Sequence, residues 1–72
     1  MSGNLLITHD NRIMAVDLTN ILLEKIADTI AIHADNNFEY SFGLNEIAKE
    51  THTEDESQYE LVDGTRVTLS FT

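Results

Sequence analysis

Around Asp63-Gly64 the apolar residues obey a parity rule that fixes how this part of the chain can fold. Tyr59 and Leu61 precede the turn, and Val67, Leu69 and Phe71 follow it. A two-residue loop would pair odd positions with even ones and put Tyr59 and Leu61 on the face opposite Val67 and Leu69, splitting the apolar set. A three-residue loop, Val62-Asp63-Gly64, keeps the set together: Tyr59 pairs with Val67, and Leu61, Leu69 and Phe71 share their face. Glu60 then lies across from Arg66 on the polar face. Gly64 takes the left-handed conformation, which glycine adopts without a Cβ penalty.

Residues 5 to 17 read as a second hairpin, turning at Asp10-Asn11. A two-residue loop there sets Ile7 opposite Met14 and Leu5 opposite Val16, one wholly apolar face. Leu6, Thr8, Ile13 and Ala15 form the other, mixed face, as expected of a ribbon with one side on a core and one side wet.

Between the hairpins Leu18, Leu22, Ile26 and Ile30 recur every four residues, and Asp17 or Thr19 can cap a helix. This spacing predicts a helix over 18–34, with Asn20, Glu24, Asp28 and Asp35 in a narrow polar stripe and His33 in a wide apolar arc. A competing reading ends the helix near Ala27 and pairs a strand carrying Ile30, Ile32 and Ala34 with one carrying Phe38, Tyr40 and Phe42, which also alternate cleanly. Residues 38–42 are extended in both. After Gly43, Leu44, Ile47, Ala48 and Thr51 predict a short helix with Glu46 and Glu50 opposite, and polar, acidic Thr51–Gln58 reads as a mobile loop. The expected fold class is therefore α+β: a small antiparallel sheet of two hairpins, about 4–17 and 58–71, with one long and one short helix on one face.

A chain of 72 residues has room for one core and reads as a single acidic α+β domain over 1–72. It contains no cysteine, so disulfides and thiolate zinc sites are out of reach, and packing or self-association must supply what small folds otherwise take from cross-links. No apolar run approaches the roughly 20 residues that span a bilayer, and the start lacks a signal-peptide pattern. A cytoplasmic protein away from membranes is the expectation.

Charge says most about function. Thirteen Asp and Glu stand against four Lys and Arg, a formal net charge of -9. Arg12, Lys25, Lys49 and Arg66 are scattered singly, so direct binding to nucleic acid, which needs clustered cations, is disfavoured and a basic protein partner is favoured. Glu46, Glu50 and Glu54 recur every four residues; on a helix they would align about 6 Å apart. Asp55, Glu56 and Glu60 extend that patch, and Glu24 and Asp28 form a second ridge. Like charges at this spacing weaken a helix, which points to a use beyond solubility.

Nothing in the chain marks an enzyme or a cofactor. There is no thiol, no serine stands in a nucleophile-elbow context, and His9, His33 and His52 lack metal-ligand spacing. Asp35, Asn37, Glu39, Ser41 and Glu46 match positions 1, 3, 5, 7 and 12 of a calcium loop, but Tyr40 stands where the sharp turn needs glycine. The function expected first is a small inhibitor or regulator whose acidic face blocks a basic partner, such as a nuclease or other nucleic-acid-handling enzyme, by imitating a phosphate backbone. Its partner-binding residues would be Glu46, Glu50, Glu54, Asp55, Glu56, Glu24 and Asp28. In composition, though in no motif, the chain is similar to small phage-encoded inhibitors and antitoxins. The alternatives are an assembly module that forms a homodimer or joins a larger complex through the apolar side of helix 18–34, and a metal-responsive domain built on residues 35–46.

Overall fold

The computed structural model describes residues 1–72 and is built almost wholly of strands. Eight strands run β1 (Gly3–His9), β2 (Arg12–Leu18), β3 (Leu22–Ile26), β4 (Thr29–Ala34), β5 (Phe38–Gly43), β6 (Ile47–His52), β7 (Glu56–Leu61) and β8 (Arg66–Phe71), with one 3-10 turn at Leu44–Glu46. They form a five-stranded sheet of order β2-β1-β8-β7-β6 and a three-stranded sheet of order β3-β4-β5. Every pairing is antiparallel.

Both hairpins adopt the expected registers. Leu5 pairs with Val16 and Ile7 with Met14, while Tyr59 pairs with Val67 and Glu60 with Arg66. Leu61 N–H donates to Thr65 O at 2.8 Å, which closes Val62-Asp63-Gly64 as the three-residue loop, and Gly64 has φ 94. The Asp63 carboxylate accepts the Thr65 N–H at 2.9 Å and is held below the ordinary carboxylate range chiefly by that bond.

The expected α+β class is wrong, because neither helix forms. Residues 18–34 are the end of β2, then β3, then β4, broken by turns at Asn20 (φ 53) and Ala27 (φ 54). The competing strand pair is the arrangement found: Ile30 faces Phe42, Ile32 faces Tyr40 and Ala34 faces Phe38. Asn36 and Asn37 turn the chain between them, both at positive φ and with Phe38 N–H donating to Asp35 O, the pattern of a type I′ turn. The reason for the misreading is geometric. Residues i and i+4 align on a helix face and on a strand face alike, as Leu22 and Ile26 do on β3, while Leu18 and Ile30 continue the spacing from the neighbouring strands β2 and β4. The expected short helix is likewise only the turn Leu44–Glu46, followed by edge strand β6 with a bulge between Ile47 and Lys49. The expected mobile loop over Thr51–Gln58 is mostly strand, and only Thr53–Asp55 connects β6 to β7.

The core lies between the sheets. Leu5, Tyr59, Leu61, Val67 and Leu69 come from the larger sheet, and Ile30, Ile32 and Phe42 from the smaller, with Leu18 at the corner where the chain passes between them. The Phe42 and Tyr59 rings meet edge to face at 5.0 Å and tie the two layers together. The ends of β1 and β8 are neighbours: Gly3 pairs with Phe71, and Thr72 N–H donates to Ser2 O at 2.9 Å. Gly3 is obligatory there, since a Cβ would stand 1.9 Å from the Ser70 carbonyl oxygen.

Candidate binding site

The acidic residues expected to form a helical ridge lie instead along and around β6. Glu46 lies in the 3-10 turn, Glu50 on β6 and Glu54 in the β6–β7 loop, so no helix aligns them about 6 Å apart. The row follows the free edge of the larger sheet, from the 3-10 turn to the β6–β7 loop.

Several of these carboxylates have structural work. Glu46 accepts the Gly43 N–H at 2.7 Å and so holds the turn that carries β5 into β6. Glu56 accepts hydrogen bonds from the Gln58 amide and, at 3.4 Å, the Ser70 hydroxyl on the outer face. Asp28 sits in the β3–β4 turn, where its backbone oxygen accepts the Leu44 N–H at 2.7 Å; this brings Asp28 to the Glu46 end of the row. Glu54 and Asp55 are exposed at the tip of the β6–β7 hairpin, and their carboxylates make no hydrogen bond or ion pair.

Glu24 and Glu50, far apart in the chain, come to one place. An open cleft of about 270 Å³ between the sheets is lined by Leu23, Ile30, Leu44 and Tyr59 and rimmed by Glu24, Lys25, Glu50 and His52. The fold makes this cleft because β3 belongs to the small sheet and β6 to the edge of the large one, so their facing sides are not fully covered.

At its rim Glu50 and His52 form a row with Ser57 that sequence reasoning did not pair. His52 Nε2 lies 3.1 Å from a Glu50 oxygen, and its Nδ1 lies 3.0 Å from Ser57 Oγ. The signal was available: Glu50 and His52 alternate on one strand, and Ser57 faces His52 across a tight hairpin. A carboxylate, an imidazole and a hydroxyl in sequence resemble the order of a charge-relay set, with Ser57 itself buried at 6 % exposure. The row braces the His52 ring edge-on to Tyr59, at 5.5 Å between centroids. Burial, and then the Glu50 carboxylate, push the Tyr59 phenol above its ordinary pKa.

A second concave patch, about 170 Å³, lies on the outer face and is lined only by Lys49, Thr51, Gln58, Glu60 and Arg66. Its main charges are already joined, with Arg66 Nη2 2.8 Å from Glu60 Oε1. The remaining histidines are tethered locally. His33 Nδ1 lies 3.5 Å from Glu39, and His9 Nε2 lies 3.2 Å from the Asp63 backbone oxygen.

The calcium-loop residues are dispersed. Asp35 and Asn37 belong to the β4–β5 turn, Glu39 and Ser41 to β5, and Glu46 is taken up by Gly43. Asp35 receives the Thr19 hydroxyl at 3.0 Å and the Asn20 amide at 2.8 Å, fastening the β2–β3 corner to that turn. Nowhere do three His, Asp or Glu side chains converge as metal ligands would. The apolar side of a helix over 18–34 is gone as well: Leu18, Ile30 and Ile32 enter the core, whereas Leu22 and Ile26 are exposed on β3. No helix is long and apolar enough to cross a membrane.

Compared with family models, curated proteins and solved structures, the chain matches none.

Proposed function

We propose that this protein is an acidic recognition module that binds the basic surface of another protein through the β6 edge, its hairpin tip and the rim of the adjoining cleft. The observation that carries this reading is the lack of internal neutralisation. Of thirteen carboxylates, Glu60 alone is paired with an arginine or lysine. The negative field is therefore directed outward, where it raises the association rate with a cationic partner and repels anionic ones. Glu54, Asp55, Glu50 and Glu24 are the contact residues, with Asp28, Glu46 and Glu56 adding to the field. A nucleic-acid-handling enzyme is the basic partner favoured, because its own groove is built to receive rows of negative charge.

The test is capture from a cell lysate by the wild-type protein and by a Glu54→Lys/Asp55→Lys variant, eluting with rising salt and with DNA. Basic proteins that are released by salt, displaced by DNA and lost with the variant would support the proposal. At typical surface-pair energies, reversing two charges weakens such a complex about tenfold or more. An identical set of partners for both proteins would sink it.

A further inference from the structure

We infer that the free edge of β2 is a homodimer interface, in which two copies pair this strand antiparallel about Ala15 and join their five-stranded sheets into one. The hydrogen-bond phase of the sheet identifies which backbone groups are free. Thr72 donates to Ser2 O, so Ser2, Asn4, Leu6 and Thr8 direct their backbone groups toward β8. Bonding alternates along an antiparallel strand, which leaves Leu5, Ile7 and His9 to bond with Val16, Met14 and Arg12 of β2. Ile13, Ala15 and Asp17 consequently point their N–H and C=O groups outward, and no turn, loop or cap bond takes them up.

The charges of β2, Arg12 and Asp17, stand toward its ends, and the four residues between them, Ile13 to Val16, carry none. β6 carries a bulge and the charges of Lys49 and Glu50, and β3 carries Glu24 and Lys25. β2 runs in unbroken register and exposes Ile13 at 74 % and Met14 at 44 %, beside Leu6 at 37 %.

Charge then selects the register. Outward residues must meet outward residues, so the two-fold axis passes beside a residue from Ile13 to Asp17. An axis at Met14 sets Asp17 against Asn11 in the partner's turn, and one at Val16 sets Ile13 against Thr19, whose carbonyl already accepts the Asp35 N–H. An axis at Asp17 sets two carboxylates face to face, and one at Ile13 runs Ala15 and Asp17 past the end of the partner strand into its turn. At Ala15 every free group is used. Ala15 meets Ala15 of the second copy, Ile13 meets Asp17, and on the core-facing side Met14 meets Val16, extending the apolar layer of Leu5 and Ile7. The two Asp17 carboxylates then lie about 13 Å apart along the seam, beyond the screening length of about 8 Å in physiological salt. The net charge of -9 on each copy opposes association, so added salt tightens the dimer, opposite to its effect on a complex with a basic partner.

Sedimentation equilibrium of the full chain tests this, over protein concentrations of about 10 μM to 1 mM and salt of about 0.05 to 0.5 M. The expected result is a monomer–dimer equilibrium that tightens severalfold with salt. Ala15→Glu, at an exposed position, places two carboxylates at the axis and loosens the dimer at least tenfold while leaving the urea midpoint of the monomer unchanged. Ala15→Pro removes an N–H that the monomer does not use and has the same effect. A monomer throughout the range at high salt would overturn the inference, as would a dimer that survives Ala15→Glu.

Discussion

Replacing Ala27 by glycine reports directly on the backbone that separates a hairpin from a helix. Ala27 and Asp28 form the two-residue connection of β3 to β4, closed by the Ile26–Thr29 pair, and Ala27 has φ 54. A side chain in the left-handed region costs about 1–2 kcal/mol, which glycine removes. Glycine also gains freedom in the unfolded chain, which subtracts about 0.4–1 kcal/mol. The Ala27 methyl is exposed, so little packing is lost. Ala27→Gly should therefore stabilise the protein by about 0.5–1 kcal/mol, a rise in Tm of about 3–6 °C for a domain of this size. Were residues 18–34 a helix, the same change would cost about 1 kcal/mol and lower Tm. The sign alone separates the two backbones. Thermal and urea unfolding of the wild type, Ala27→Gly and Ala27→Val give the answer, with valine expected to destabilise because a β-branched side chain fits the left-handed region worst. A fall in Tm with glycine, or no penalty with valine, would refute the placement of Ala27.

Two further outcomes follow from packing and titration. Gly3→Ala forces a methyl against the Ser70 carbonyl and must part β1 from β8 at their ends, with an expected loss of about 1–3 kcal/mol in urea unfolding. Both tyrosines should ionise above the ordinary value of 10.0, Tyr59 because of burial and then Glu50, and Tyr40 because of burial and then Asp63 and Glu46. In the unfolded chain these phenols lose their protons first, so above about pH 10 the folded state binds more protons and stability falls as pH rises further. Ultraviolet titration of the phenolates should show no tyrosine ionising at or below the ordinary value before the protein unfolds.

The two hairpins were legible in the sequence because parity around a turn is a hard constraint. Shifting the loop by one residue would have buried Glu60 and exposed Tyr59. The middle of the chain was ambiguous for a reason equally physical. Leu18, Leu22, Ile26 and Ile30 keep a helical spacing although they lie on three strands, with Leu22 and Ile26 exposed, and one of the turns that interrupts them is built on Ala27, a residue that favours helices and carries no turn signal. Asn36-Asn37 did carry one, and with the alternation of Ile30, Ile32 and Ala34 it supports the strand pair that was the competing reading. The acidic site was legible as composition but not as geometry. Extension of β6 stretches Glu46, Glu50 and Glu54 into a row, whereas the meeting of Glu24 with Glu50 depends on how two sheets stack. The Glu50–His52–Ser57 row needed the β6–β7 register, in a segment whose polarity resembles a loop.

The adjacency of β1 and β8 bears on how the molecule comes into being. Gly3 pairs with Phe71 and Leu5 with Leu69, so strands from opposite ends of the chain meet at the centre of the main sheet. Such pairing must close a loop containing nearly all the residues before it is rewarded, an entropic barrier that grows with the length enclosed and slows folding. During synthesis the N-terminal hairpin can form early, yet its inner edge stays open until Phe71 has emerged, while the small sheet waits for Tyr59, Leu61, Val67 and Leu69 to complete the layer beneath it. Folding of this chain is thus committed late and all at once, and the interval before it is when its unpaired strands are most open to the wrong neighbour.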